Sequence, residues 1–151
     1  GQYTHAAIWG AKAFLETGDV ETALELLAGA NPLLRNATPG EAERYRSEAY
    51  AMCADIYGGQ WAGRGGWSFY TGSAGWYYKV FFEDVLGIRL SAGNRILELC
   101  PRIPHQTVLR FHGRITVTVS TDTEDTMDGV PVTFPVVLPD GEHTVTAKIR
   151  L

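Results

Sequence analysis

The chain has 151 residues, of which 45% are hydrophobic and 20% charged, with a net charge of −4. That balance supports a folded core and excludes compositional disorder, and the acidic excess argues against a nucleic-acid surface, which needs a basic patch. No run of about 18 apolar residues exists to span a bilayer, the start Gly1-Gln-Tyr-Thr-His5 has no signal-peptide pattern, and the absence of an initiating Met leads us to expect a piece of a longer protein.

Two cysteines, Cys53 and Cys100, are too few for a disulfide scaffold. The expectation is two buried thiols in a reducing compartment. In chain order, Thr4 is placed to cap a helix carrying Ala7, Ala11, Phe14 and Leu15, and Gly18 is placed to end it. Asp19 is placed to cap a second helix with Ala23, Leu24 and Leu27 on one face, stopped at Asn31-Pro32. The short link implies an antiparallel helix pair. Residues 36–40 read as a loop. Residues 41–46 look helical, and from there to Tyr57 the pattern fits helix or extended chain. After a glycine-rich stretch, residues 73–86 read as an apolar helix with Trp76, Val80, Phe81, Val85 and Leu86, ended by Gly87.

From about Ile88 the period changes to two. Residues 108–112 and 115–120 alternate, the latter with Ile115, Val117 and Val119 on one face. Asp128-Gly129 is a hairpin-turn signal. Residues 130–138 read as an edge strand because of Pro131 and Pro135. Residues 143–151 form a last strand with Val145, Ala147 and Ile149 aligned. Short strands with regular turns imply a β-sandwich.

The stretch Gly63-Arg-Gly-Gly-Trp-Ser-Phe-Tyr-Thr-Gly-Ser-Ala-Gly-Trp-Tyr-Tyr78 interleaves glycines, aromatics and hydroxyls. Thr71-Gly72-Ser73 at a helix start offers unsatisfied N–H groups and the positive end of the helix dipole to an anion. A tight turn with good capping residues is the equal alternative. No GxxxxGK[ST] pattern is present, so this is not a nucleotide P-loop. His5 could donate to an anion or simply pack. Trp67 is the better sugar platform and Trp76 the better core residue. Arg64 could pair with phosphate or be a solvated loop charge. A sugar-cleaving site needs a carboxylic acid, but Glu48 and Asp55 carry no mark of that role, and Glu83 and Asp84 are expected to face solvent. No His/Cys spacing fits zinc, so no metal is expected.

The block Gly63–Trp76 and the following Leu86-Gly-Ile-Arg89 resemble the C-terminal part of glycoside hydrolase family 94. That family holds inverting phosphorylases of β-glucosides and the C-terminal region of cyclic β-1,2-glucan synthases, and the GRGGW…YTGSAGW form is most similar to the synthase branch. Gly1-Gln-Tyr-Thr-His-Ala-Ala-Ile-Trp9 is similar to a second family motif, and Cys100-Pro-Arg-Ile-Pro104, Asp128-Gly-Val-Pro131 and Pro139-Asp-Gly-Glu-His143 resemble later elements. The resemblance implies an α+β chain: the C-terminal helices of an (α/α)6 barrel over residues 1–90, then a small antiparallel β-sandwich over 91–151.

It also implies that His5, Thr71 and Gly72 bind phosphate. Trp67, Arg64 and Glu48 are the candidate sugar-binding residues. Phosphate then attacks the anomeric carbon while an aspartic acid upstream of this chain protonates the leaving oxygen. Inorganic phosphate is a co-substrate, and no cofactor or catalytic residue is expected in this chain. The expected partners are a β-glucan oligosaccharide, phosphate and the remainder of the parent chain. A homo-oligomer formed through exposed helix faces is also expected. The expected location is the cytoplasmic side, in an inner-membrane parent. Glu48-Ala-Tyr50 departs from the usual Glu-Pro-Tyr. The rival readings are a non-catalytic carbohydrate-binding or structural module, and a related hydrolase that uses water.

Overall fold

A computed structural model describes residues 1–103 and 105–149. Pro104 of the Cys-Pro-Arg-Ile-Pro motif, and the last two residues of the expected final strand, lie outside the described residues. The chain divides into two compact units, Gly1–Val80 and Phe81–Leu151, ten residues before the expected boundary at 90.

In the first unit, β1 (Gln2–Tyr3) leads into α1 (Thr4–Thr17), followed by α2 (Val20–Ala30), α3 (Pro39–Tyr45), β2 (Asp55–Ile56) and α4 (Thr71–Lys79). Gly18 ends α1 in the left-handed region at φ 88°, its N–H donating to Leu15 O. Asp19 then caps α2 by accepting from Thr22 N. That two-residue link folds α1 onto α2 as a hairpin, and Ile8, Ala11, Leu15, Ala23 and Leu27 are buried. Truncating one of the large ones costs about 2–5 kcal/mol. α3 starts earlier than its pattern suggests. Thr38 accepts from Glu41 N, and Glu41 Oε2 accepts from the Thr38 hydroxyl, a Thr-x-x-Glu capping pair visible in the sequence.

β1 pairs antiparallel with β2, Gln2 opposite Ile56 and Tyr3 opposite Asp55. Residues 54–57 also pair back on 64–67: Ala54 N–H donates to Trp67 O, Tyr57 N–H to Arg64 O and Gly66 N–H to Asp55 O. A Cβ on Gly66 would sit 1.9 Å from Asp55 Oδ1, and one on Gly65 2.5 Å from Cys53 Sγ. These two glycines serve close packing of this hairpin. The apolar helix expected over 73–86 is α4 followed by a π-helical turn, Val80–Val85. Trp76, expected in the core, is half-buried.

The second unit carries β3 (Ile88–Ser91), β4 (Ile96–Leu99), β5 (Thr107–Phe111), β6 (Ile115–Ser120), β7 (Thr126–Met127), β8 (Val130–Pro131), β9 (Val136–Val137) and β10 (His143–Lys148). They form a five-stranded sheet in the order β5-β6-β10-β7-β8 and a three-stranded sheet in the order β3-β4-β9. One core gathers Ile88, Leu97 and Leu99 with Ile115, Val117, Val119, Val145 and Ala147. The period-two faces of β6 and β10 point inward as their alternation requires.

Several expectations are corrected here. The unit is not wholly antiparallel. β10 runs parallel to β6, His143 opposite Ile115 through Lys148 opposite Ser120, because the intervening chain crosses to the other sheet before returning. The single edge strand expected over 130–138 is two short strands, β8 and β9, each at the edge of a different sheet. A boundary at 90 would cut β3, which pairs with β4 along its whole length. Cys100 is exposed while Cys53 is buried, and both are free. Asp84 does not face solvent: it is 6% exposed and holds Arg89 at 2.6 Å, the pairing a buried carboxylate requires.

Candidate functional site

The first turn of α1 and the first turn of α4 are fastened to each other by two buried hydroxyls. Thr4 Oγ1 directs its single proton at the carbonyls of Cys53 and Ala54. The 2.9 Å contact between Thr4 Oγ1 and Ser73 Oγ is therefore one in which Ser73 donates. Thr4 and Ser73 are 1% and 0% exposed. Thr4 is thus not the cap expected of it. It is the first residue of α1, and Tyr3 holds the cap position without a side-chain bond.

This fastening sets the next residues of each helix face to face. The Cε1–Nδ1 edge of His5 lies against Gly72, since a Cβ there would be 3.4 Å from Cε1 and 3.5 Å from Nδ1. A Cβ at 72 would therefore rest in van der Waals contact with the imidazole. His5 Nε2 is buried without a hydrogen-bond partner among the described residues. Nδ1 lies at the edge facing Gly72.

The start of α4 is open. Tyr70 occupies the cap position with no side-chain cap bond, and the first helical bond is Ala74 N–H to Tyr70 O at 3.2 Å. The amides ahead of it point outward with the positive end of the dipole. Thr71 and Gly72 are exposed at this end. His5, Thr71 and Gly72, far apart in sequence, therefore lie together.

Aromatic rings surround the three. His5 and Trp9 meet edge to face at 4.7 Å between centroids, and Trp9 meets Trp76 at 5.7 Å. The Tyr3 and Tyr70 hydroxyls are 2.6 Å apart. Sequence reasoning named Tyr70 only as part of the aromatic and hydroxyl stretch, and did not single out Tyr3, Trp9, the Tyr3–Tyr70 contact or the Thr4–Ser73 pair. Trp9 was findable as the i+4 neighbour of His5 on one helix face. The tyrosine pair had no sequence signal, because it joins residues 67 positions apart.

The candidate sugar residues fall elsewhere. Trp67 is 83% exposed; Phe69, two residues on, is 61% exposed and pairs edge to face at 6.1 Å with Tyr50, itself 78% exposed. Glu48 accepts a hydrogen bond from its own backbone amide and from the hydroxyls of Ser68 and Ser47, which hold its carboxyl below the ordinary value. An ionised Glu48 can accept from sugar hydroxyls and is unsuited to protonate a leaving group. The partner of Arg64 is Trp61, with the guanidinium 5.4 Å from the ring centroid. Among the described residues, no cluster of three His, Cys, Asp or Glu could hold a metal ion. No helix of the described chain is long and apolar enough to cross a membrane.

The mixed helix-and-sheet architecture, with histidine, glycine and an open helix start brought together among aromatics, belongs to a carbohydrate-active class that comparison with known proteins defines. The family model for the glycosyl hydrolase 94 superfamily, catalytic domain, matches residues 1–87, and the chain belongs to that superfamily. Among individual relatives, it is 46% identical over 107 residues to cyclic beta-(1,2)-glucan synthase NdvB of Rhizobium meliloti (strain 1021), a match covering 70% of this chain and 4% of that protein. The chain thus spans a small fraction of the relative's length.

Proposed function

We propose that the chain supplies part of the catalytic centre of an inverting glycoside phosphorylase or cyclic β-glucan synthase. On this reading its helices belong to an (α/α)6 barrel completed by the rest of a parent chain. His5 Nδ1, the Thr71 hydroxyl and the outward amides of Thr71 and Gly72 bind inorganic phosphate. Trp67 and Glu48 face the β-glucan. Phosphate attacks the anomeric carbon on the face opposite the leaving oxygen. That oxygen takes its proton from a carboxylic acid outside this chain, releasing a glycosyl phosphate of inverted configuration. The donors fixed around phosphate hold the nucleophile in line and require no reorganisation during attack.

The observation that carries this reading is the placement of the His5 Nδ1 edge against Gly72 at an uncapped helix start. The test is thermal stabilisation by inorganic phosphate. A ligand that binds only the folded state at 100 times its Kd stabilises by about 2.7 kcal/mol. Stabilisation should be seen with phosphate, be absent with chloride at equal ionic strength, and be reduced in His5→Ala. An equal response to chloride, or a phosphate response untouched by His5→Ala, would sink it. The chain alone should neither cleave nor build glucan.

A further inference from the structure

A cluster of charge lies at the tip of the hairpin formed by residues 54–57 and 64–67. The tip is fixed by its own backbone: Gly63 N–H donates to Tyr57 O at 2.9 Å, Arg64 N–H to Trp61 O at 3.0 Å and Ala62 N–H to Gly59 O at 3.1 Å. A cavity of about 150 Å³ opens beside it, lined by Arg44, Arg46, Arg64, Gln60, Trp61 and Glu43 among others. At about 30 Å³ per water that is room for about five waters, enough for a phosphate group and the edge of a sugar.

The arginines are held in place. Gly63 is at φ 88°, and a Cβ on it would lie 2.8 Å from Arg44 Cδ and 3.3 Å from Cγ, so the Arg44 stem lies flat on this glycine. Arg46 closes α3 in the left-handed region at φ 54° and donates from Nε to Glu43 O at 3.1 Å. Arg64 is oriented over the Trp61 ring. Among the described residues none of these three arginines has a carboxylate partner. Three guanidiniums against the one carboxylate of Glu43 leave a local charge of about +2 on a chain whose net charge is −4. Guanidinium forks match the oxygens of phosphate in pairs, and two positive charges fit a phosphate dianion better than a single carboxylate.

We propose that Arg44, Arg46 and Arg64 form a phosphate-binding site separate from the start of α4, with Gln60 and the exposed edge of Trp61 available to a sugar that bears the phosphate. It does not depend on the reading of His5 and Thr71. The proposal is tested by following the Trp61 indole N–H signal by NMR, identified through Trp61→Phe, during titration with inorganic phosphate, glucose 6-phosphate, glucose and chloride at matched ionic strength. Both phosphates should shift the signal, and glucose and chloride should not. The double variant Arg44→Gln/Arg64→Gln should bind at least about tenfold more weakly, the loss of one charged hydrogen bond, and His5→Ala should leave the shift intact. Tighter binding of glucose 6-phosphate would mark a phosphorylated sugar as the ligand, and equal binding the free ion. The proposal is overturned if neither phosphate shifts the signal, if chloride shifts it equally, if the shift survives in the double variant, or if it is lost in His5→Ala. Should the double variant unfold, Arg46→Gln alone must show the same weakening.

Discussion

Both ring nitrogens of His143 face acceptors. Nδ1 is 2.7 Å from Asp128 Oδ2 and Nε2 is 3.1 Å from Pro139 O. A carboxylate and a carbonyl only accept, so both bonds exist together only in the imidazolium. The bond to Asp128 raises the His143 pKa above its ordinary value, against burial and the nearby Arg114. The same bond lowers that of Asp128. Because the folded pKa of His143 is raised, its contribution to stability is fully present below the ordinary value of 6.5 and is lost as pH rises through the folded value. The melting temperature should therefore fall as pH is raised upward from about 6.5, with a smaller fall in His143→Gln. An identical pH profile in that variant would show that the ring does not hold the Asp128 turn to the Pro139 loop. Arg114 Nη1 also donates to Pro139 O.

At the scale of elements, the joint after the π-helical turn is set by one residue. Gly87 has φ 69°, and a Cβ on it would lie 2.0 Å from Cys100 O, where Cys100 N–H donates back to Gly87 O at 2.8 Å. Alanine there must both adopt the left-handed region and displace a backbone carbonyl of β4's end. Gly87→Ala should cost about 3 kcal/mol or more, against about 1 kcal/mol for Gly93→Ala. Gly93 has nearly the same φ, at 68°, but open space around it. Denaturant melts of the two variants separate the causes: equal losses would mean that backbone strain alone matters at Gly87. The period-two pattern foresaw β6 and β10 because one face of each is buried. It could not foresee their parallel pairing, since alternation says which face is inward and nothing about which strand lies alongside. β3 and β4 fall in the stretch read as β-like from Ile88 but are not separated as strands, because four residues are too few to establish a period.

At the scale of the whole molecule, large apolar side chains stand in water: Leu33 is 64% exposed, Leu34 50% and Trp9 53%. Contiguous exposed apolar surface favours association. We expect the isolated chain to associate with itself at high concentration, and Leu33→Lys/Leu34→Lys to reduce that association, as read by light scattering. A monodisperse monomer at every concentration would contradict this.

The sequence by itself determined what local chemistry controls. Gly18 and Asp19 stop one helix and start the next, inward alternation marks the strands, and the GRGGW…YTGSAGW block carries the family. It also offered Thr71 and Gly72 as an anion-binding helix start and His5 as an anion donor, but only the resemblance joined the three in one site, because nothing in a linear chain brings residue 5 to residue 72. Tertiary structure decided that meeting through the buried Thr4–Ser73 hydroxyl pair, of which Thr4 reads in sequence as a helix cap and Ser73 as part of an anion-binding or capped helix start. It also divided the glycine-rich stretch. Gly65 and Gly66 are there because Cys53 and Asp55 leave no space for a Cβ, Gly63 because the Arg44 stem lies on it, and Gly72 alone faces the open helix start. Composition registers a run of glycines; only the neighbours that pack against each one distinguish these reasons.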